Sequence, residues 1–338
     1  MQSRQRVLSA MRTTGRLHLG HYHGVLKNWL VLQEQHECFF FAADWHALTT
    51  HYATPQVIQE SIRELFIDWL AVGIDPEKSC LFVQSQVPEH AELYVLLSMI
   101  TPLSWLERVP SYKDQQLKIK DKVLDTYGFL GYPLLQAADI LIYKANFVPV
   151  GEDQVAHIEF TREVARRFNH LYGGSTEATK TILCEPKALL TPESKLPGTD
   201  GQKMSKSYHN TISLREDAAS VTQKIKIMPT DPARVRRTDP GDPEKCPVWG
   251  LHKVYSDENT QQWVQTGCKT AGIGCLECKQ PLIAAILKEQ QPIAERAAYF
   301  ESHPDEVTDI IRAGAKKARD VAGQTLAQVN AAIGLGEV

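Results

Sequence analysis

Apolar positions follow two rhythms along the first half of the chain. Residues 6–11 (RVLSAM), 37–48 (ECFFFAADWHAL), 79–87 (SCLFVQSQV) and 147–154 (FVPVGEDQ) are short, dense runs rich in aromatic and branched side chains, which predicts strands. Between them, residues 20–35, 55–74, 132–145 and 155–168 repeat apolar positions at helical spacing. Strands and helices alternating in this way predict an α/β fold, a doubly wound parallel sheet covered on both faces. Ligands of such sheets sit beyond the carboxyl ends of the strands. The rhythm changes near residue 210. Residues 196–210 (LPGTDGQKMSKSYHN) read as a loop from their glycine, proline and serine content. Beyond it, residues 212–228, 246–267, 281–300 and 304–333 all read as helices. Two domains are expected: an α/β domain over 1–210 and an α-helical domain over 211–338, with the last helix free to return to the first.

Composition narrows the class. At 338 residues the chain can bury one large core or two ordinary ones, and 43% hydrophobic with 23% charged residues is usual for a globular protein. No apolar stretch approaches the roughly 18 residues that span a bilayer, and the opening MQSRQRVLSAMRTTG has no signal-peptide core. A cytoplasmic protein without membrane contact is expected. The net charge of −3 excludes a chain that binds nucleic acid over its whole surface, so any RNA contact must be a local patch. Seven cysteines in a reducing compartment point to metal or redox chemistry rather than disulfides.

Three stretches carry candidate chemistry. TTGRLHLGH, residues 13–21, joins the first strand to the first helix; its small residues let backbone approach a phosphate, and His18 and His21 can donate hydrogen bonds to it. KMSKS, residues 203–207, puts Lys203 and Lys206 three apart in a loop, a cationic clamp suited to a departing pyrophosphate. Asp139 sits between two alanines and ILIY on a helix, an odd place for an acid unless it meets a donor inside an apolar pocket. Separately, Cys246, Cys268, Cys275 and Cys278 are spaced by twenty-one, six and two residues. Four thiolates there suit a structural zinc or a [4Fe–4S] cluster, and their count does not choose between them.

HLGH is similar to the HIGH signature of class I aminoacyl-tRNA synthetases, and KMSKS matches their second signature letter for letter. YPLLQAADILIYKANFVPVGEDQVAHIEFTRE, residues 132–163, resembles the tryptophanyl-tRNA synthetases, and the likeness extends over nearly the whole chain. The resemblance implies a Rossmann-like catalytic domain, an anticodon-binding helical domain, and synthesis of tryptophanyl-tRNA(Trp) from L-tryptophan, ATP with Mg²⁺, and tRNA(Trp). It implies catalytic roles for His18, His21, Lys203 and Lys206. ATP would touch Arg12, Thr13, Thr14, Gly20, His21, Gly151, Glu152, Asp153, Leu196 and the Lys203, Met204, Ser205, Lys206, Ser207 loop. Asp139 would accept the indole N–H, Tyr132 and Gln154 would meet the amino group, and Val148 and Val150 would wall the ring. Lys113, in a lysine-rich loop, is a further ATP candidate.

The cysteine spacing resembles that of a bacterial subset of this family with a [4Fe–4S] cluster where the anticodon docks, zinc being the alternative. Arg234, Arg236 and Arg237 would supply the basic patch for RNA. The family works as a homodimer, and the apolar stretch 90–109 is the expected interface. Two departures stand out: Thr13 replaces the usual proline, and Gln136 replaces a methionine common among bacterial members. The rival assignments are a tyrosyl-tRNA synthetase, which needs a hydroxyl-recognising pair in the pocket, and a non-catalytic iron–sulfur RNA-binding paralogue, which would have lost part of a signature.

Overall fold

The computed structural model describes residues 4–110, 125–176, 180–190 and 196–335; Lys113 and the side chain of Ser207 lie outside what is described. Five parallel strands form one sheet in the order β3-β2-β1-β4-β5: β1 Arg6–Arg12, β2 Glu37–Ala43, β3 Ser79–Val83, β4 Phe147–Val150 and β5 Lys187–Leu190. The order reverses between β1 and β4, so a cleft opens there at the carboxyl ends.

Successive side chains on a strand face opposite ways, and here both faces are buried. Val7 and Phe40 join one core, where Phe40 stacks on Trp29 with ring centres 4.0 Å apart. Leu8, Phe39 and Phe41 join the other, where Phe39 stacks on Tyr143 at 4.8 Å. This double coverage explains the continuous apolar run of β2.

Several expected elements are cut shorter. β2 stops at Ala43, because Asp44 starts the helix Asp44–His51 and its carboxylate accepts from the amides of Trp45 (3.0 Å) and Ser85 (3.1 Å). β3 stops at Val83 and β4 at Val150, each followed by a 3₁₀ turn. Residues 212–217 are not helical; they bridge back to His18, and the helix is only Ala218–Ile227, capped by Asp217. Asp257 caps a new helix with a 2.8 Å bond from the Thr260 amide and so divides 246–267 into Pro247–Tyr255 and Glu258–Lys269. β5 was too short to be read from the sequence.

Cys275–Ser302 is one long helix that packs on Gln56–Val72, and Pro304–Ile333 returns to cover β3. That return depends on Gly314: a Cβ there would lie 1.8 Å from the Leu81 carbonyl oxygen, so only glycine allows the helix to lie against the strand.

Candidate functional site

The two signature segments meet at the carboxyl end of β1. After Arg12 the chain turns tightly: the Thr14 amide bonds the Arg12 carbonyl (3.0 Å), and Gly15 adopts φ +95°. The Gly15 amide donates to Ser61 Oγ (2.7 Å) and the Leu17 amide to Asp68 Oδ2 (2.9 Å), fixing the turn to the helix Gln56–Val72. The segment after KMSKS is stitched on by Leu19 N–H to Ile212 O (3.0 Å) and Leu214 N–H to Leu17 O (3.1 Å). Lys206 Nζ donates to the carbonyls of Thr14 (3.2 Å) and Gly15 (2.7 Å). Burial pushes this ammonium down to about 8, with Asp68 pulling the other way.

The rings of His18 and His21 lie 3.7 Å apart, tilted by 41°. His18 Nδ1 accepts from the Gly20 amide (3.1 Å), and His21 Nδ1 accepts from the His18 amide (3.3 Å). Each neutral ring therefore carries its proton on Nε2. Burial, then Lys206, holds His18 down at about 4; burial, then His18 and Lys206, holds His21 well below its ordinary value. Arg12 donates to Thr50 Oγ1. Thr13 is buried with its hydroxyl unpartnered.

The rest of the signature loop is held by Asn210. Its Oδ1 accepts from the Ser205 amide (2.7 Å), and its Nδ2 donates to Asp200 (2.7 Å) and the Lys203 carbonyl (3.1 Å). Leu196 and Met204 are buried and joined by Met204 N–H to Leu196 O (2.9 Å). Lys203 is exposed.

Beside this turn lies a cavity of about 410 Å³. Tyr132, Gln136, Asp139, Val148, Val150, Gly151 and Gln154 line it, so the residues expected around the amino acid converge on one cavity, with Gln136 among its walls. Glu152 and Asp153 are exposed just past β4, and Gln154 Nε2 bonds Asp153 Oδ2 (3.0 Å).

Asp139 is 2% exposed and is met by donors that no motif announced. Gln84 Nε2 (2.8 Å) and His90 Nδ1 (2.6 Å) reach Oδ1, and His46 Nε2 (2.7 Å) reaches Oδ2. Burial alone would raise this carboxyl; the charge of His46 opposite it, then hydrogen bonds from His46 and His90, bring it down to about 2. A carboxylate has roughly four acceptor positions. Three are taken, and the remaining one is on Oδ2. Asp139 and His46 both border the cavity, where Asp139 has one acceptor position left beside the hydroxyls and amides of Thr49, Tyr132, Gln136 and Gln154. The signal for these partners was indirect: a buried acid needs donors, and DWHAL and QSQVPEH hold them.

The four cysteines feel one another. Cys278 is pushed up to about 12 by burial and by Cys246, Cys268 and Cys275, while Lys279 pulls the other way. Arg234 Nη1 lies 4.0 Å from Cys268 Sγ, and His252 Nε2 lies 3.4 Å from Cys278 Sγ. Among the described residues, however, no group of three or more His, Cys, Asp or Glu side chains is arranged to hold a metal ion. The three expected RNA-contacting arginines separate. Arg234 is 9% exposed and donates inward to the carbonyls of Arg237 (2.9 Å) and Ile273 (2.6 Å), because the chain folds over it; Arg236 and Arg237 are exposed. Among the described residues no helix is long and apolar enough to cross a membrane.

Residues 1–289 match the family profile of tRNA synthetases class I (W and Y). The chain is 57% identical to the tryptophan–tRNA ligase of Ralstonia nicotianae and 54% identical to that of Thermotoga maritima, covering 98% of this chain in both and 98% and 99% of those proteins. Its fold matches the crystal structure of Campylobacter jejuni tryptophanyl-tRNA synthetase complexed with ADP and tryptophan, with TM-score 0.87 and 33% identity over 98% of this chain and 100% of that one. With both signature segments on one cleft and these relatives over its full length, the chain belongs to the tryptophan–tRNA ligases of the class I tRNA synthetases.

Proposed function

We propose that the chain activates L-tryptophan with MgATP to tryptophanyl-adenylate and pyrophosphate, then passes the tryptophanyl group to the 2′-hydroxyl of the terminal ribose of tRNA(Trp). The observation that carries this is the single unfilled acceptor on Asp139 Oδ2 inside an apolar cavity. Indole offers one N–H donor and no acceptor. A tyrosine hydroxyl also needs a donor, and the ring and amide N–H groups on Asp139 are already spent. Tyr132 and Gln154 are suited to the substrate's amino group, and Val148 and Val150 to the ring faces.

The tryptophan carboxylate attacks the α-phosphorus and pyrophosphate leaves. No side chain need act as nucleophile; the protein aligns the reactants and stabilises charge. Arg12, Thr13, Thr14 and Gly20 would cradle ATP, with His18 and His21 donating Nε2–H as neutral rings. Gly151, Glu152 and Asp153 would take the ribose, and Leu196 and Met204 would flank the base. Lys206 now bonds two backbone carbonyls beside the turn, and the β,γ-phosphates offer it stronger, charge-assisted partners. Lys203, Ser205 and Ser207 complete this clamp.

The cysteines are suited to a [4Fe–4S] cluster rather than zinc by the resemblance in spacing. The coupling of Cys278 to Cys246, Cys268 and Cys275, with Arg234 4.0 Å from Cys268 Sγ and Lys279 nearby, supports this reading, since thiolate ligands need their charge offset. Cys246, Cys268, Cys275 and Cys278 would hold it, and its contribution would be to tie the helices together. Arg236 and Arg237 would then face the anticodon. Val95, Met99 (75% exposed) and Leu103 (62% exposed) leave an apolar surface on residues 90–109 suited to a homodimer.

The test is charging of tRNA(Trp) with labelled tryptophan. Tryptophan- and ATP-dependent incorporation supports the proposal; its absence with active adenylate formation would leave only the first half-reaction.

A further inference from the structure

Asp139 can discriminate only if it cannot satisfy itself another way. A carboxylate free to turn, or to recruit water, loses little when a ligand lacks the N–H. The groups behind Asp139 close that escape. His90 is 0% exposed, with Nδ1 2.6 Å from Asp139 Oδ1 and Nε2 2.7 Å from the Tyr143 hydroxyl. Between an acceptor-only carboxylate and a hydroxyl, one neutral tautomer satisfies every group: Nδ1–H donates to Asp139, and Nε2 accepts the Tyr143 O–H. Gln84 Nε2 fills the other position on Oδ1 at 2.8 Å. Gln84, His90 and Tyr143 do not border the cavity, so none of them is a substrate contact. Tyr143 is itself locked by stacking on Phe39 at 4.8 Å.

We propose that Gln84, His90 and Tyr143 are positioning residues that block Asp139 Oδ1 and pin its plane, so that the one acceptor facing the cavity goes unpaired unless the ligand carries an N–H. This rests on Asp139 as the indole acceptor. It predicts that loss of the relay lowers discrimination more than it lowers turnover, because a freed Asp139 turns or takes up water and no longer penalises the wrong ligand.

The experiment compares kcat/KM for tryptophan and for its benzothiophene analogue, 3-(benzothiophen-3-yl)alanine, which has sulfur in place of N–H, by pyrophosphate exchange. The wild-type protein should prefer tryptophan by about 100-fold or more. His90→Leu should shrink that ratio about tenfold, mainly through a lower KM for the analogue, with KM for ATP unchanged. His90→Gln, which keeps an N–H donor, should restore most of it. Tyr143→Phe removes only the far hydroxyl and should shrink the ratio about threefold; its ratio decides if His90→Leu does not fold. If both substrates lose the same factor in these variants, the residues are merely structural and the proposal is overturned. If the wild-type ratio is itself near one, Asp139 does not read the indole N–H and the underlying assignment fails instead.

Discussion

The Asp139 pocket and the group of four half-buried cysteines both hold chemically demanding side chains away from water, and they do it in opposite ways. Around Asp139 three donors are already in place, and the carboxyl is held down at about 2 against a burial that would raise it. Around Cys278 burial and the three neighbouring thiols act in the same direction and push it up to about 12. The first site is stable as an ion without its ligand. At the second, the thiolate form is disfavoured. Preorganised donors hold a charge in place; neighbouring thiols resist one.

Removing the charge at the preorganised site should have the largest effect. Asp139→Asn leaves His46, His90 and Gln84 facing an amide, and kcat/KM for tryptophan should fall about 100- to 1,000-fold in pyrophosphate exchange. A loss under tenfold would mean the three donors are not arranged around the anion. Lys206→Ala removes the clamp beside the same pocket and should lower kcat for adenylate formation about 100-fold. An unchanged kcat would confine Lys206 to holding the turn at Thr14 and Gly15.

Cys278→Ala sharpens the contrast from the other side. Because the cysteines lie in the helical region, tRNA charging should fall about tenfold while tryptophan-dependent exchange stays within about threefold. Equal loss in both assays would join the two sites into one unit. The smallest effect is on pH dependence. Lys206 is protonated below about pH 8 and loses its charge above it. The limb of kcat/KM for ATP, which reports the free enzyme, should therefore descend through about pH 8, roughly tenfold per unit. Lys206→Arg keeps its charge and should flatten that limb.

Legibility followed how local each feature is. β1 to β4 and their helices were readable because their periodicity lies within single segments, and Lys206 and Asp139 stood out by type and setting. β5, four residues long, carries too little pattern. The strand ends were misplaced because they depend on Asp44 meeting Ser85, forty-one residues away in the chain. His46, Gln84 and His90 were invisible as a set because two distant stretches, DWHAL and QSQVPEH, converge on one carboxylate. Arg234 was read as surface from its company in DPARVRR, yet folding turns it inward to the Ile273 carbonyl. Charge in a short basic run says nothing about which member remains exposed.

The most direct measurement is pyrophosphate exchange into ATP with tryptophan and tyrosine in parallel. One open acceptor and no spare donor on Asp139 predicts exchange with tryptophan favoured by at least about 10⁴ in kcat/KM. Exchange with tyrosine at a comparable rate would contradict it.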